Sequence, residues 1–458
     1  MTRSAVFPEG SGIADQVACR SCAFVRDKLL SLWDLRIEYQ PHYANPSAPE
    51  SLHSMSPAEN GSAASSGKKL KTPRYHLLLP HKEKFSPANA GAVATIAADL
   101  VRHSPAPDTM RIFGTPVDTP FDGCAFTPLS IRHRWWHGGN IGFAEAYLHQ
   151  LDDLKTPDLV EVHGRCHVAA HIKARRPDLK VALYLHNDPR RMKGAITPDD
   201  RTRLLHDLSA VICISDYIRQ CFLDGVDAPA ELIAKTHTAR NGVERLQQTP
   251  VPKKRMVLFV GRMVAEKGAL ELAEAAARVL PQYPGWHLCL AGAKGFEVAA
   301  KSPYEKRVAT VLAGLGKQAQ MTGFLPISDI RALQDEAAII ACPSIWQEPM
   351  GKTVLEALAA GSAVLTSRRG GIPEVAEGRA HIVDEPNADT LTTALDRLIA
   401  DDVYRAELQK SAWADFPFTA IQMATDAASA RRKAIAPAFD SQGHGLDAKN
   451  RLAVMRDL

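Results

Sequence analysis

Two carboxylates, Glu348 and Glu356, bracket a turn and the start of a helix, and this is where chemistry is most readily placed on the chain. The run from Ser344 through Glu348-Pro349-Met350-Gly351-Lys352-Thr353 to Glu356 and Gly361 follows an apolar segment, Ala337 to Cys342, that reads as a buried parallel strand. The helix opening at about Gly351 is apolar almost all round (Val354, Leu355, Ala357, Leu358), the pattern of a buried helix. A carboxylate inside it therefore requires a partner. A core salt bridge with a residue such as Arg369 meets that need, and so does a ligand that donates hydroxyl protons. The helix start offers free N–H groups and the positive end of its dipole, which suit phosphate. Two acceptors of hydroxyl protons flanking an anion site fit a ligand that is sugar at its ends and phosphate in the middle.

A second group lies upstream. Gly261-Arg262-Met263-Val264-Ala265-Glu266-Lys267-Gly268 leaves an apolar strand, Met256 to Val260. Two cations in a glycine-bounded loop can clamp a diphosphate and stabilise negative charge as it leaves; a solvated Glu266–Lys267 surface loop is the plainer alternative. His186 ends the apolar run Lys180 to Leu185 and precedes a loop-forming Asn187-Asp188-Pro189. A neutral imidazole there can hydrogen-bond a sugar hydroxyl or a departing oxygen. The amides of Met350, Gly351, Lys352 and Thr353 can meet phosphate or sugar, and Glu356, a turn further in, can accept both hydroxyls of a ribose. Near the start of the ordered pattern, strand Tyr75 to Leu79 leads through a loop to Ala90-Gly91 and a helix, a layout that lets a ligand approach the amides at Gly91.

The elements that must position these groups alternate. Strands are expected at 111–113, 158–162, 180–185 and 210–214, with helices at 168–175, 201–208 and, capped by Ser215, 216–222. After the Pro-rich Thr249 to Pro252 the pattern restarts, with strands at 256–260, 286–290, 320–324, 337–342 and 362–365. Strands alternating with helices predict α/β architecture: two Rossmann-like parallel-sheet domains facing across a cleft, with ligands beyond the carboxyl ends of the strands. The boundaries read from this pattern are a poorly ordered leader (1–73), a first domain (74–248), a second domain (249–416), a long last helix (417–436) and a polar tail (437–458). The run Arg132 to Gly139 (RHRWWHGG) reads as a loop.

Composition narrows the classes. The chain has 458 residues, 45% hydrophobic and 23% charged, with a formal net charge of +4, an ordinary globular balance that gives no case for nucleic acid. No run of some 18 apolar residues predicts a membrane span, and the first residues carry no signal-peptide core. Cys19-Arg-Ser-Cys22 lacks a second cysteine pair for zinc, and no metal or cofactor is expected. Gly314-Leu-Gly316-Lys-Gln-Ala319 fits a dinucleotide fingerprint, but it follows a helix and precedes a strand, the reverse of the required context. That argues against a nicotinamide dehydrogenase.

Taken together, Gly261-Arg262…Lys267-Gly268, the pair Glu348 and Glu356 with seven residues between them, Gly370-Gly371-x-Pro-Glu374, His186 and Asn241-Gly-Val resemble glycosyltransferase family 4 over about residues 75 to 435. The resemblance implies a GT-B fold and metal-free, retaining transfer from a nucleotide sugar. It implies that Arg262 and Lys267 hold the donor diphosphate, Glu348 and the amides of Met350 to Lys352 the sugar, and Glu356 the ribose. It places His186 at the sixth position of the sugar and Gly91 near the phosphate. Lys352 departs from the family, which often has an apolar residue there, and Ala90-Gly91 stands where two glycines are usual.

The expected function is hexosyl transfer from a UDP- or GDP-sugar to a polysaccharide or lipid-linked acceptor, by a cytoplasmic protein with peripheral membrane contact through its basic loops (Arg132 to His137, Arg190 to Lys193). A nucleotide-sugar epimerase or hydrolase of the same fold, and a non-catalytic nucleotide-sugar-binding protein, are the alternatives.

Overall fold

The computed structural model describes residues 74–131, 134–151, 154–295, 301–414 and 416–436. Seven parallel strands make the first sheet: β1 (Tyr75–Leu78), β2 (Met110–Gly114), β3 (Phe126–Pro128), β4 (Leu159–His163), β5 (Val181–Leu185), β6 (Ala210–Cys213) and β7 (Thr236–Thr238), in the order β3-β2-β1-β4-β5-β6-β7. Six more make the second: β8 (Lys254–Val260), β9 (His287–Ala291), β10 (Ala319–Gly323), β11 (Ala337–Cys342), β12 (Ala363–Ser367) and β13 (His381–Val383), in the order β10-β9-β8-β11-β12-β13. Strand order therefore reverses between β1 and β4 and between β8 and β11, and crevices for ligands open at such points.

The strands form because they are apolar on both faces. Val181, Ala182, Leu183, Tyr184 and Leu185 are fully buried, as are Val257, Leu258, Ile339 and Ile340. Helices cover both sheet faces, and each fully buried Leu, Ile or Val contributes about 1.5–3 kcal/mol against exposure. Polar caps set the helix starts. The Ser215 hydroxyl accepts from Ile218 N to open helix Asp216–Leu223, and Thr197 and Asp200 form a capping box for helix Pro198–Asp207.

One expected loop is a helix. Arg132 and His133 lie outside the described residues, but from Arg134 the chain runs helically to Leu151, broken only at Gly138 (φ 69°, ψ 162°). The glycine absorbs the break, and Phe143, Ala144, Tyr147 and Leu151 beyond it bury against the first sheet. The Cys19–Cys22 pair, the leader and the tail also lie outside the described residues. The last helix, Ala420–Ile435, packs on helix Ala92–Arg102 and on β6, so it lies against elements of the first sheet. Its stripe of Ala424, Ala427 and Ala430 permits the close approach.

Candidate active site

A cavity of about 510 Å³ opens where the carboxyl ends of the two sheets meet. Its lining includes His186, Arg262, Lys267, Glu348, Met350, Gly351, Lys352, Thr353 and Glu356. Residues far apart in sequence thus converge because each leaves the carboxyl end of a strand or starts the helix after it.

Glu348 and Lys267 form the centre. Lys267 Nζ donates to Glu348 Oε1 at 2.5 Å, and the Ser344 hydroxyl lies 2.7 Å from the same oxygen. The side chains are 28% and 12% exposed, so the pair faces the cavity while partly shielded. Backbone contacts fix it from behind. The Glu266 carbonyl accepts from Ile345 N at 2.9 Å and Trp346 N at 3.1 Å, tying the cation loop to the carboxylate loop. Gly371 N donates to the Glu348 carbonyl at 2.8 Å. Gly370 sits at φ +59°, and a Cβ there would lie 2.1 Å from that carbonyl oxygen, so only glycine lets the two loops stack. Glu266 and Lys267 are therefore not a free surface pair. Arg262 is exposed, and among the described residues no hydrogen bond or ion pair holds its guanidinium.

Gly351, at φ +80°, caps helix Lys352–Ala359, whose first residues line the cavity and whose first amides lack partners within the helix. Met350 is 1% exposed, and its sulfur accepts from Asn241 N at 3.2 Å, so its side chain ties the domains while its amide remains beside the helix start. Glu356 differs from the buried carboxylate that the apolar pattern predicts. It is 25% exposed, with Lys352 Nζ 3.9 Å away and Gln334 Nε2 donating at 3.3 Å. Lys352 and Glu356 share one helix face that turns to the cleft, while Val354, Leu355 and Leu358 bury the others. Arg369, the alternative core partner, pairs with Glu385 at 2.6 Å instead.

Gly91 stands apart from the other expected donor contacts. Ala90 and Ala92 line the cavity, but Gly91 does not. Glu83 turns onto this helix start, where its Oε1 accepts from Ala94 N at 3.0 Å, and a Cβ on Gly91 would lie 2.4 Å from that oxygen. The chain's own carboxylate answers the helix dipole, so a phosphate there would meet negative charge.

His186 is 5% exposed at the end of β5, and its Nδ1 is buried without a partner among the described residues. Asn241 Oδ1 is in the same condition and lines the same cavity. Polar atoms of this kind are rare in folded proteins unless a ligand meets them.

Ser215, expected as a helix cap, and Glu374, part of the Gly370-Gly371-x-Pro-Glu374 motif, also join the two domains, a role that their sequence context does not signal. Glu374 accepts from Asp216 N at 2.9 Å and Tyr217 N at 2.6 Å, so a carboxylate of the second domain caps a helix of the first. The Ser215 hydroxyl donates to the Pro349 carbonyl at 2.6 Å, and the Arg191 guanidinium lies 4.5 Å over the Trp346 ring. Glu374→Ala is expected to cost about 1.5–3 kcal/mol of this contact, since hydrogen bonds to a charged group are lost. Small-angle scattering should read a larger radius of gyration, with an unchanged far-ultraviolet dichroism spectrum.

Residues 243–414 match the family model described as glycosyl transferases group 1. The chain is an enzyme of the glycosyltransferase class. It is 27% identical over 281 residues to a candidate glycosyltransferase of Bacillus subtilis, YtcC, covering 56% of this chain and 67% of that one. It is 24% identical over 286 residues to the lipopolysaccharide 1,2-N-acetylglucosaminetransferase of Salmonella typhimurium, covering 59% and 72%. The chain thus spans roughly two thirds of the length of the first curated relatives it matches, 67%, 62% and 72%. Among solved structures, Anabaena Alr3699/HepE in complex with UDP and glucose superposes with a TM-score of 0.63 at 17% identity, covering 78% of this chain and 99% of that one. The fold of this glycosyltransferase is accordingly GT-B. Among its described residues no group of three or more His, Cys, Asp or Glu is placed to hold a metal ion, and no helix is long and apolar enough to cross a membrane.

Proposed function

We propose that the enzyme is a family 4, retaining glycosyltransferase that moves a hexosyl group from a UDP- or GDP-sugar to a polysaccharide or lipid-linked acceptor. The observation that carries this reading is the convergence of Lys267, Arg262, Glu348 and the start of helix Lys352–Ala359 on one cavity between the two sheets. A sugar diphosphate presents hydroxyls and negative charge in that order. In this reading Glu356 and Lys352 meet the nucleoside end, Lys267, Arg262 and the helix amides meet the diphosphate, and Glu348 accepts from hydroxyls of the sugar.

The chemistry follows from that arrangement. The bond from the anomeric carbon to the β-phosphate oxygen breaks as the acceptor oxygen approaches on the same face. The acceptor's proton passes to the departing phosphate, so the new glycosidic bond and the nucleoside diphosphate appear together. Negative charge developing on the phosphate is stabilised by Lys267 and Arg262. The charge complement is supplied by the chain, and a metal ion has no step to perform in this scheme.

On the acceptor side, a second cavity of about 540 Å³ is lined by His81, Lys82, Arg165, His167, Arg191 and Lys193, without an acidic residue among its described lining. That charge favours an acceptor carrying phosphate, as a lipid-linked sugar does, and peripheral contact with an anionic membrane surface. The Salmonella relative, which acts on lipopolysaccharide by its name, supports the same class.

The test is a panel of UDP- and GDP-sugars, read as nucleotide release with and without a lipid-linked acceptor fraction. One donor should be consumed in an acceptor-dependent manner. Glu356→Ala should raise the KM for that donor about 5- to 150-fold, since about 1–3 kcal/mol of hydrogen bonding to the nucleoside is lost. Release independent of acceptor would instead mark a hydrolase.

A further inference from the structure

Beneath His186 a line of buried polar groups runs through the first domain to the last helix. Arg431, 1% exposed, donates to both oxygens of Glu161, Nε to Oε2 and Nη2 to Oε1, each at 2.8 Å. Glu161 is fully buried, and its Oε1 lies 3.0 Å from His163 Nε2. His163 Nδ1 lies 2.9 Å from His186 Nε2. Glu161 and His163 are two residues apart on β4 and so share one face of the sheet. The His163 ring stacks on Tyr184, with centroids 4.9 Å apart and planes 2° from parallel, so it cannot turn freely.

The charges fix where the protons sit. Burial alone raises the Glu161 carboxyl, but Arg431 and His163 outweigh it and hold it at about 2 against an ordinary 4.5. An ionised carboxylate only accepts, so His163 Nε2 carries a proton. Arg431 already balances that carboxylate, and a second buried cation would be unpaired. His163 is therefore neutral, with a lone pair at Nδ1. His186 Nε2 must then be the donor between the two rings. Burial also holds His186 well below its ordinary value, so it too is neutral. Its remaining nitrogen, Nδ1, bears a lone pair and is buried without a partner among the described residues, on a side chain that lines the cavity.

We infer that Arg431, Glu161 and His163 are positioning residues that lock His186 in its Nε2–H tautomer, so that Nδ1 accepts a hydrogen bond from a hydroxyl of the transferred sugar. The second half of this inference rests on the proposed function; the tautomer does not. The device is a specificity filter. A donor sugar with a hydroxyl at that place satisfies Nδ1. One with a hydrogen leaves a buried acceptor unpaired, and one with a carboxylate sets acceptor against acceptor. Both should lose about 10- to 100-fold in kcat/KM.

The experiment is imidazole nitrogen–proton correlation spectroscopy on the full-length protein with labelled histidine, without substrate, His186 being assigned by its loss in His186→Gln. The wild type should show a protonated Nε2 and a lone-pair Nδ1. In Glu161→Gln the amide can still accept from Arg431 while donating to His163 Nε2, which reverses both histidines and puts a proton on His186 Nδ1. Discrimination against a uronic-acid donor should then fall at least tenfold. His163→Phe keeps the Glu161–Arg431 pair and the ring stack, and serves if Glu161→Gln does not fold; in it His186 should show both tautomers. A wild-type His186 protonated at Nδ1, or an unchanged tautomer in every folded variant, overturns the inference. Failure of the transfer reading would show separately, as no nucleotide release from any donor.

Discussion

Lys267→Ala is expected to lower kcat about 10²- to 10³-fold, the loss that follows removal of one preorganised charge donor from a developing anion. The KM for the donor should rise less, because in the proposed binding mode Arg262 and the helix start still meet the diphosphate. Two effects combine in this variant. In the proposed mechanism the departing phosphate loses a cation, and Glu348, only 12% exposed, loses the partner that holds it at 2.5 Å. Lys267→Arg restores charge but not geometry. A planar fork cannot occupy the site of a compact ammonium between Glu348 and the cavity, so it should recover a minority of the activity. Initial-rate kinetics on the two variants separate these contributions, and unchanged thermal midpoints would show that the loss is chemical.

The second large effect is on stability. Arg431→Met should destabilise the fold by about 3–5 kcal/mol, since it leaves Glu161 buried without its cation. The pH dependence has a defined sign. In the wild type the Glu161 carboxyl is held at about 2 against an ordinary 4.5. Its folded-state value is depressed, so the stability it contributes is present above about pH 4.5 and is lost as pH falls towards 2. In Arg431→Met, burial acts with less opposition, the folded carboxyl titrates higher, and its cost is relieved on acidification. The gap between the two proteins is therefore widest near neutrality and narrows on acidification, first as the variant's raised carboxyl is protonated and then, below about pH 4.5, as the wild type loses its own contribution. Urea unfolding at a series of pH values reads this directly. A gap that widens on acidification would contradict the assignment of a charged Glu161–Arg431 pair.

These two residues also show what a sequence makes legible. Lys267 could be found because its neighbours announce it: an apolar strand, a glycine-bounded loop and a second loop carrying Glu348 all follow a repeating pattern. The strand Ala337–Cys342 was readable to the residue for the same reason, being uniformly apolar between polar flanks. Arg431 could not be found that way. It stands in an Arg431-Arg432-Lys433 run that looks like a solvated face, and its partner lies 270 residues away. The available signal was Glu161 itself, a carboxylate inside the apolar run Leu159–His163, with a histidine two places on. Short edge strands such as β7 and β13 carry too few residues for a pattern. The helix from Arg134 was hidden by the Gly138-Gly139 pair, which breaks the helix without ending it. Gly91 is a third case. A helix start suits an anion, but sequence does not say whether the anion is a ligand or the chain's own Glu83.

The central claim is that the cavity between the two sheets receives a nucleotide sugar across Lys267 and Glu356. Isothermal titration of the donor selected by the panel, into wild type, Lys267→Ala and Glu356→Ala, tests it most directly. Saturable one-to-one binding by the wild type, weakened about tenfold or more in both variants, is the predicted result. Equal affinity in all three folded proteins would contradict it.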